Sequence, residues 1–385
     1  MKSSPASPPS ISAARFAVNM FFALNGIAFA NWVVRIPDIK AELKLPPEVL
    51  GVSLLGGAIG SLCSMVFGGY LMARFGSKQV TTLAGVLTFL SLMLPGYATN
   101  AWTLFAALFF YGAFNGLMDV SMNDQASINE KQHGRSIMSS FHGVFSLGGL
   151  IGSLIGGWLS SLHVPVSLHL TSIGLVLVLL VLLSSRWLIP TTPHPEEAHT
   201  EPVFIRPAPS LWIIGIMAFC VMLGEGGMAD WSTVYLRENI QASETQSAIG
   251  YGAFSGLMML GRFLGDGLIN RFGSRTIVGW GGAIMTLGLV LGLTVNTLPA
   301  VIVGFACVGL GCSALFPCFL SSASRNPDMR PASAITAVAT MAYFGFLVGP
   351  PLLGLVAGQV GLRAALFIIA AAGLFILLNH RRVQG

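Results

Sequence analysis

Of 385 residues, 54% are hydrophobic and only 9% are Asp, Glu, Lys or Arg, against about 25% charged residues in an ordinary soluble domain. So few charges cannot cover a water-facing surface, which excludes a soluble globular protein and puts the chain in lipid. The net charge of +5 comes without a basic-aromatic patch, so nucleic acid is not expected as a partner.

A helix that crosses a bilayer needs about 20 mostly apolar residues. Residues 1–10 are Ser/Pro-rich and lead into a full-length apolar segment with no small-residue cleavage site, so a removed leader is not expected. Apolar segments follow at 13–34, 48–73, 80–98, 101–123, 136–161 and 167–189. After a polar break they resume at 210–235, 246–270, 277–296, 299–322, 333–359 and 362–380. The break, 190–209, is Pro-rich and acidic at Glu196, Glu197 and Glu201. His194 and His199 within it read as parts of a solvated linker rather than a metal site. Of the 20 Lys and Arg residues, 14 fall on the side of the two termini. Only Arg35, Lys40, Lys44, Arg237 and Arg363 fall opposite. Positive residues collect on the cytoplasmic side, so both termini are expected inside a bacterial inner membrane.

The second half repeats the first. Ala73-Arg74-Phe75-Gly76-Ser77-Lys78 returns as Asn270-Arg271-Phe272-Gly273-Ser274-Arg275, an offset of 197 residues. The same offset carries Gly112 onto Gly309, Ser136 onto Ser333, Gly148 onto Gly345, Gly152 onto Gly349 and Gly157 onto Gly354. A duplicated apolar chain of this kind predicts an all-α membrane protein with twelve transmembrane helices. They would form two pseudo-symmetric six-helix lobes, 1–189 and 210–385. Cys63, Cys220, Cys307, Cys312 and Cys318 all lie in apolar segments without zinc-type spacing and read as small hydrophobes.

Gly69 to Lys78 resembles the G-x-x-x-D-R-x-G-R-[RK] loop of the major facilitator superfamily, which implies two lobes rocking about a central site. The acidic position of that loop is Ala73 here and Asn270 in the repeat, so Arg74 is expected to pair with Asp124 instead, with Arg271 at the matching place in the second half.

Charged groups deep in a membrane are costly and tend to line a cavity. Glu225 sits some fifteen residues into its span, near the midplane, ringed by Gly224, Gly226 and Gly227, which would let the helix break. It reads as a proton carrier or as a structural carboxyl tied to a neighbouring helix. Asp119 lies between Asn115 and Asn123 on one helix face, a stripe suited to recognising hydroxyls or to an interhelical seam. Asp230-Trp231 near the outer end is matched by Asn31-Trp32, a gate, a rim or a membrane-boundary anchor. Arg262 and Asp266, four apart, are expected to neutralise each other. His142 either titrates or is a neutral structural histidine.

Gly116-Leu117-Met118-Asp119-Val120-Ser121-Met122-Asn123 is similar to the fourth-span G-L-x-E-T-x-x-N pattern of the fucose permease-like sugar/proton symporters. Leu223 to Gly227 with Trp231 resembles their seventh-span glycine-glutamate-tryptophan pattern, and Phe21-Phe22, Gly26-Ile27-Ala28 and Ile36-Pro37 fit their first span. The resemblance implies that Asp119 stands for a carboxylate tied to sugar binding and coupling, and Asn123 for a binding amide. The group's first-span Asn-Asp pair falls on Trp32-Val33, so proton coupling would need another carboxylate. That departure places the chain in an outlying branch of bacterial inner-membrane members.

The expectation is a proton-coupled secondary transporter of a small, sugar-like solute. Glu225 and Asp119 would carry protons. Asn25, Asn115, Asp119, Asn123, Glu225 and Trp231 would contact substrate, with Tyr111 as a stacking or rim residue. Arg74, Asp124, Arg271, Asn31 and Asp230 would gate. Partners are the solute, protons and the bilayer, the chain acting as a monomer without metal or cofactor. A drug/proton antiporter is the rival, since Gly152 to Gly157 resembles the antiporter G-P-x-x-G-G motif with Ser153 in place of proline. A non-transporting sensor is a minor alternative. No nucleophile-base pair or P-loop is visible, which argues against an enzyme and for an ion gradient as the energy source.

Overall fold

The structure, a computed structural model, describes residues 9–134, 137–191 and 206–384. The linker histidines and glutamates, and Lys2, Arg135 and Ser136, lie outside the described residues.

Thirteen α-helices run in order among the described residues: α1 (Ile11–Glu42), α2 (Pro47–Phe75), α3 (Ser77–Ser91), α4 (Ala101–His133), α5 (Met138–Ser161), α6 (Val166–Ser184), α7 (Trp212–Glu238), α8 (Glu244–Phe272), α9 (Ser274–Val295), α10 (Leu298–Cys312), α11 (Leu315–Ser324), α12 (Pro331–Val360) and α13 (Leu362–Asn379). Eleven crossings are long and apolar enough to span a membrane by themselves, α10 and α11 sharing one of them. The twelfth is α8, whose apolar character is diluted by Arg262 and Asp266. The fold is that of a twelve-helix membrane protein.

Local chemistry sets the helix ends. Asn100 opens α4 by accepting from the backbone of Trp102 and Thr103, while Thr103 caps Asn100 in return. Ser243 and Gln246 do the same for α8. The glycine of the repeated Arg-Phe-Gly-Ser motif explains itself: Gly76 and Gly273 turn the chain between consecutive helices at φ of 84° and 80°, which a Cβ would strain.

Three features differ from the sequence reading. α4 continues ten residues past the predicted end at 123, stopping at left-handed Gly134. The tenth span breaks between α10 and α11 because Pro317, in the first turn of α11, has no N–H to give the preceding turn. And α7 does not break at its glycines. It is continuous, and Gly224, Gly226 and Gly227 instead admit Met285, Phe346 and Ile369 against its backbone.

In the first half α2 packs on α4 and α1 on α5; in the second, α8 packs on α10 and α7 on α12. The duplicated glycines sit at these crossings. A Cβ on Gly112 would overlap the Gly57 carbonyl, and one on Gly309 the Phe254 carbonyl, which is that of the matching position. Gly148 meets the Ala23 backbone and Gly345 the Phe219 backbone in the same way. The halves join where α5 packs on α8 and α2 on α12, two crossings that the repeat exchanges. Gly157 abuts Ala248, and Gly354 abuts Pro47 and Gly51.

The face away from the termini is sealed. Lys40 pairs with Glu238 at 2.5 Å, Arg237 reaches Asp38 at 3.9 Å, and Thr233 Oγ1 donates to the Val33 carbonyl at 3.0 Å. Among the described residues, all ion pairs between the halves lie on this side.

Candidate substrate cavity

A cavity of about 310 Å³ lies between the halves, lined from α1, α2, α4 and α5 on one side and α7, α8 and α12 on the other. It is large enough for a small ligand. Helical spacing decides who faces it: on α4 Leu108, Tyr111, Gly112, Asn115 and Asp119, and on α8 Tyr251, Phe254, Ser255 and Met258, each a single stripe. Phe29, Trp32, Phe145, Tyr343 and Phe346 complete an aromatic wall.

Of the predicted contact residues, Asn25, Asn115, Asp119 and Glu225 line the cavity, as does Tyr111. Asn25 Oδ1, Tyr111 Oη and Asn115 Oδ1 are buried without a hydrogen-bond partner. Buried polar atoms are almost always paired, so three orphans on one cavity wall mark where a ligand's polar groups would fit. Two predicted contacts fall elsewhere. Asn123 continues the stripe beyond the cavity and turns back, its amide donating to the Asp119 carbonyl at 2.8 Å and to Oδ1 at 3.2 Å. Trp231 is fully buried within the second half, against Gly354, with no part in the lining; the cavity tryptophan is Trp32.

Glu225 is not alone. Arg262 Nη2 lies 3.5 Å from its Oε2, while Nη1 donates to Ser146 Oγ at 2.8 Å and to the His142 carbonyl at 3.3 Å. Arg262 therefore joins α7, α8 and α5, one of them from the opposite half. The expected neutralisation of Arg262 by Asp266 does not form. Asp266 Oδ1 accepts from Ser139 Oγ at 3.1 Å, because the helix places its carboxylate one turn nearer the termini, facing α5. His142 packs its ring edge-on to Phe22 at 5.3 Å and contributes only its carbonyl.

The gating candidates also sort themselves. Arg74 does not pair with Asp124. Its guanidinium folds back one turn onto Tyr70 Oη at 2.9 Å and lies over Phe75. Arg271 lies over Phe272 at 5.2 Å in the same manner. The α2–α3 connection is held instead by Gln125, a neighbour of Asp124: its amide donates to Ser77 Oγ at 2.7 Å and to the Ile189 carbonyl at 2.9 Å, and its oxygen accepts from the Ile189 N–H at 3.0 Å. The repeat places Ser322 at this position, where it accepts from the Gln384 backbone at 2.9 Å.

Asn31 is fully buried in the first half, away from the cavity. Its Oδ1 accepts from His169 Nε2 at 2.7 Å, and Arg35 Nε donates to His169 Nδ1 at 2.7 Å, which fixes the tautomer. Arg35 also holds Asp38 at 2.7 Å and Ser160 at 3.0 Å. Asp230, unlike Asn31, lines the cavity. The aromatic wall and the Arg262 partnership escaped the sequence reading. The i, i+3, i+4, i+7, i+11 spacing from Tyr251 to Arg262 is the signal that carried them.

Comparison with known proteins places this architecture. The Major Facilitator Superfamily model matches residues 16–326 and 214–381, so the chain belongs to the major facilitator superfamily of membrane transporters. It is 33% identical to an uncharacterized MFS-type transporter of Yersinia pestis, over 95% of each chain. It is 32% identical to the membrane protein MosC of Rhizobium meliloti, over 94% of this chain and 88% of that one. Among solved structures, the nucleoside transporter NupG (D323A mutant) superposes with a TM-score of 0.76 at 14% identity, covering 96% of this chain and 99% of that one, a likeness of fold.

Proposed function

We propose that the protein is a proton-coupled secondary transporter that moves a small polar, sugar-like solute across the bacterial inner membrane by alternating access. The observation that carries this reading is the cavity shared by both halves, where Asn25, Tyr111 and Asn115 hold unpaired polar atoms opposite Glu225. Hydroxyls both donate and accept, so a polyol satisfies such atoms, while the aromatic wall suits the apolar face of a ring.

On this reading the moving bodies are 1–189 and 210–385, joined by 190–209, with both termini cytoplasmic as the distribution of Lys and Arg favours. The form described is then inward-facing, with Lys40–Glu238 and Arg237–Asp38 closing the outer side. Glu225 is the coupling carboxylate. Protonation would release Arg262 from it and leave Arg262 bound only to Ser146 and His142, so proton loading would alter a contact between the halves. Asp119, steadied by Asn123, serves as a solute acceptor.

The test is uptake by proteoliposomes under an imposed pH gradient with labelled sugars, nucleosides and lipophilic cations. Accumulation of a hydroxylated solute that a protonophore collapses is expected, with loss in Glu225→Gln. Gradient-driven accumulation of that solute by the Gln variant would overturn the coupling role. Movement of lipophilic cations alone would favour an exporter of amphipathic compounds, the reading that the Gly152 to Gly157 segment suggests.

A further inference from the structure

The cavity holds more negative charge than its walls balance. Asp119, Glu225 and Asp230 line it, and among the described residues no Lys, Arg or His does. Glu225 has Arg262 as counter-charge and Asp119 has the Asn123 amide. Asp230 accepts no hydrogen bond and meets no cation among the described residues. It faces the cavity beside aromatic rings, with Tyr251 within electrostatic reach. An isolated carboxylate in so apolar a setting is costly unless a positive or donating group reaches it.

We infer that the solute carries a protonated amine as well as hydroxyls, the ammonium seated against Asp230 and the hydroxyls against Asn25, Tyr111 and Asn115. This rests on the reading of the cavity as the solute site. Two independent features support it. Asn25 and Tyr111 are 3% and 4% exposed, unpaired, and among the residues that line the same cavity, so a ligand with several polar groups is called for beyond the carboxylate itself. And the aromatic wall around Trp32, Tyr251 and Phe254 favours a cation through the ring faces as well as through charge. A neutral sugar would satisfy the amides and the phenol and give Asp230 a hydroxyl donor, but it would bring no counter-charge. A cation without hydroxyls would leave the amides orphaned. An amino-polyol meets both.

The experiment measures binding to the purified full-length protein by quenching of tryptophan fluorescence, to which Trp32 contributes, and by thermal stabilisation. Matched probes are used: glucosamine, glucose and N-acetylglucosamine; glucamine and sorbitol. Each amine is expected to bind more than about tenfold tighter than its neutral partner, the size of one charge-assisted hydrogen bond. Asp230→Asn should remove that preference while keeping the wild-type melting temperature. Asn115→Ala should weaken amine and neutral probes alike. Equal binding of amines and neutral probes would overturn the amine assignment and leave the cavity as a polyol site. Retention of the amine preference in Asp230→Asn would overturn the role of Asp230. Binding of no probe at all would overturn this inference and the sugar-like reading together.

Discussion

Arg262 Nη2 and Glu225 Oε2 stand 3.5 Å apart, an ion pair set among the helices rather than at their ends. Both side chains are largely buried, at 16% and 14% exposure. Breaking such a pair leaves one charge uncompensated, at a cost of about 3 kcal/mol or more. Arg262→Met should therefore lower the melting temperature strongly, whereas the double variant Arg262→Met, Glu225→Gln should recover most of the loss. Thermal unfolding of the three proteins in detergent checks this. Equal destabilisation of single and double variants would show that Ser146 and His142, not Glu225, are what Arg262 needs.

The duplicated glycines give a graded stability series. A methyl group at Gly112 or Gly309 would overlap a carbonyl oxygen of the neighbouring helix, whereas one at Gly69 would meet nothing within 4 Å. Gly112→Ala and Gly309→Ala should each cost about 1–3 kcal/mol through forced separation of packed helices. Gly69→Ala should be neutral or slightly stabilising, because alanine is the better helix former. Thermal unfolding in detergent ranks the three. A Gly112 variant as stable as Gly69→Ala would mean that α2 and α4 can move apart freely.

How far the sequence reaches is visible in these same residues. The 197-residue repeat could be read directly because close helix packing admits only glycine, and both copies kept it at Gly112 and Gly309. The twelve crossings were legible from hydropathy, even for α8, whose apolar segment is interrupted by Arg262 and Asp266. What could not be read was partnership across the fold. Arg262 has Asp266 one turn away in sequence but Glu225 at hand in space, and no periodicity reports which neighbour a third helix brings. Trp231 illustrates the converse: it stands one residue from a cavity carboxylate, and a 100° step around the helix turns it into the core. The break at Pro317 was not read either, because a proline inside an apolar span does not decide by itself: Pro37 and Pro350 lie within continuous α1 and α12.

Gln125 makes three hydrogen bonds that tie the α2–α3 connection to the end of the first half. The residue is fully buried, so its loss leaves the Ser77 hydroxyl and the Ile189 backbone without their partner. Gln125→Ala should cost about 2–3 kcal/mol. Hydrogen exchange should locate the effect, with the Ile189 amide exchanging faster while amides of the second half are unchanged. Unaltered protection at Ile189 would show that this end of α6 is held by other contacts.

The seal on the face away from the termini can be made covalent. A Cβ built on Gly358 of α12 lies 3.7 Å from the Glu48 Cβ of α2, close to the mean separation in a disulfide of about 3.8 Å. Neither backbone is strained, since Gly358 is not among the glycines of positive φ. The variant Glu48→Cys, Gly358→Cys should cross-link under mild oxidation, giving a species of faster mobility on denaturing gels and protected from thiol alkylation. Because the bond joins the two halves where they must part for the opposite-facing form, the oxidised protein should lose all transport and recover it on reduction. Binding from the terminus side should survive oxidation, since the cavity is already formed in this conformation. Full transport by the cross-linked protein would mean that these ends of α2 and α12 stay together throughout the cycle and that the halves separate elsewhere.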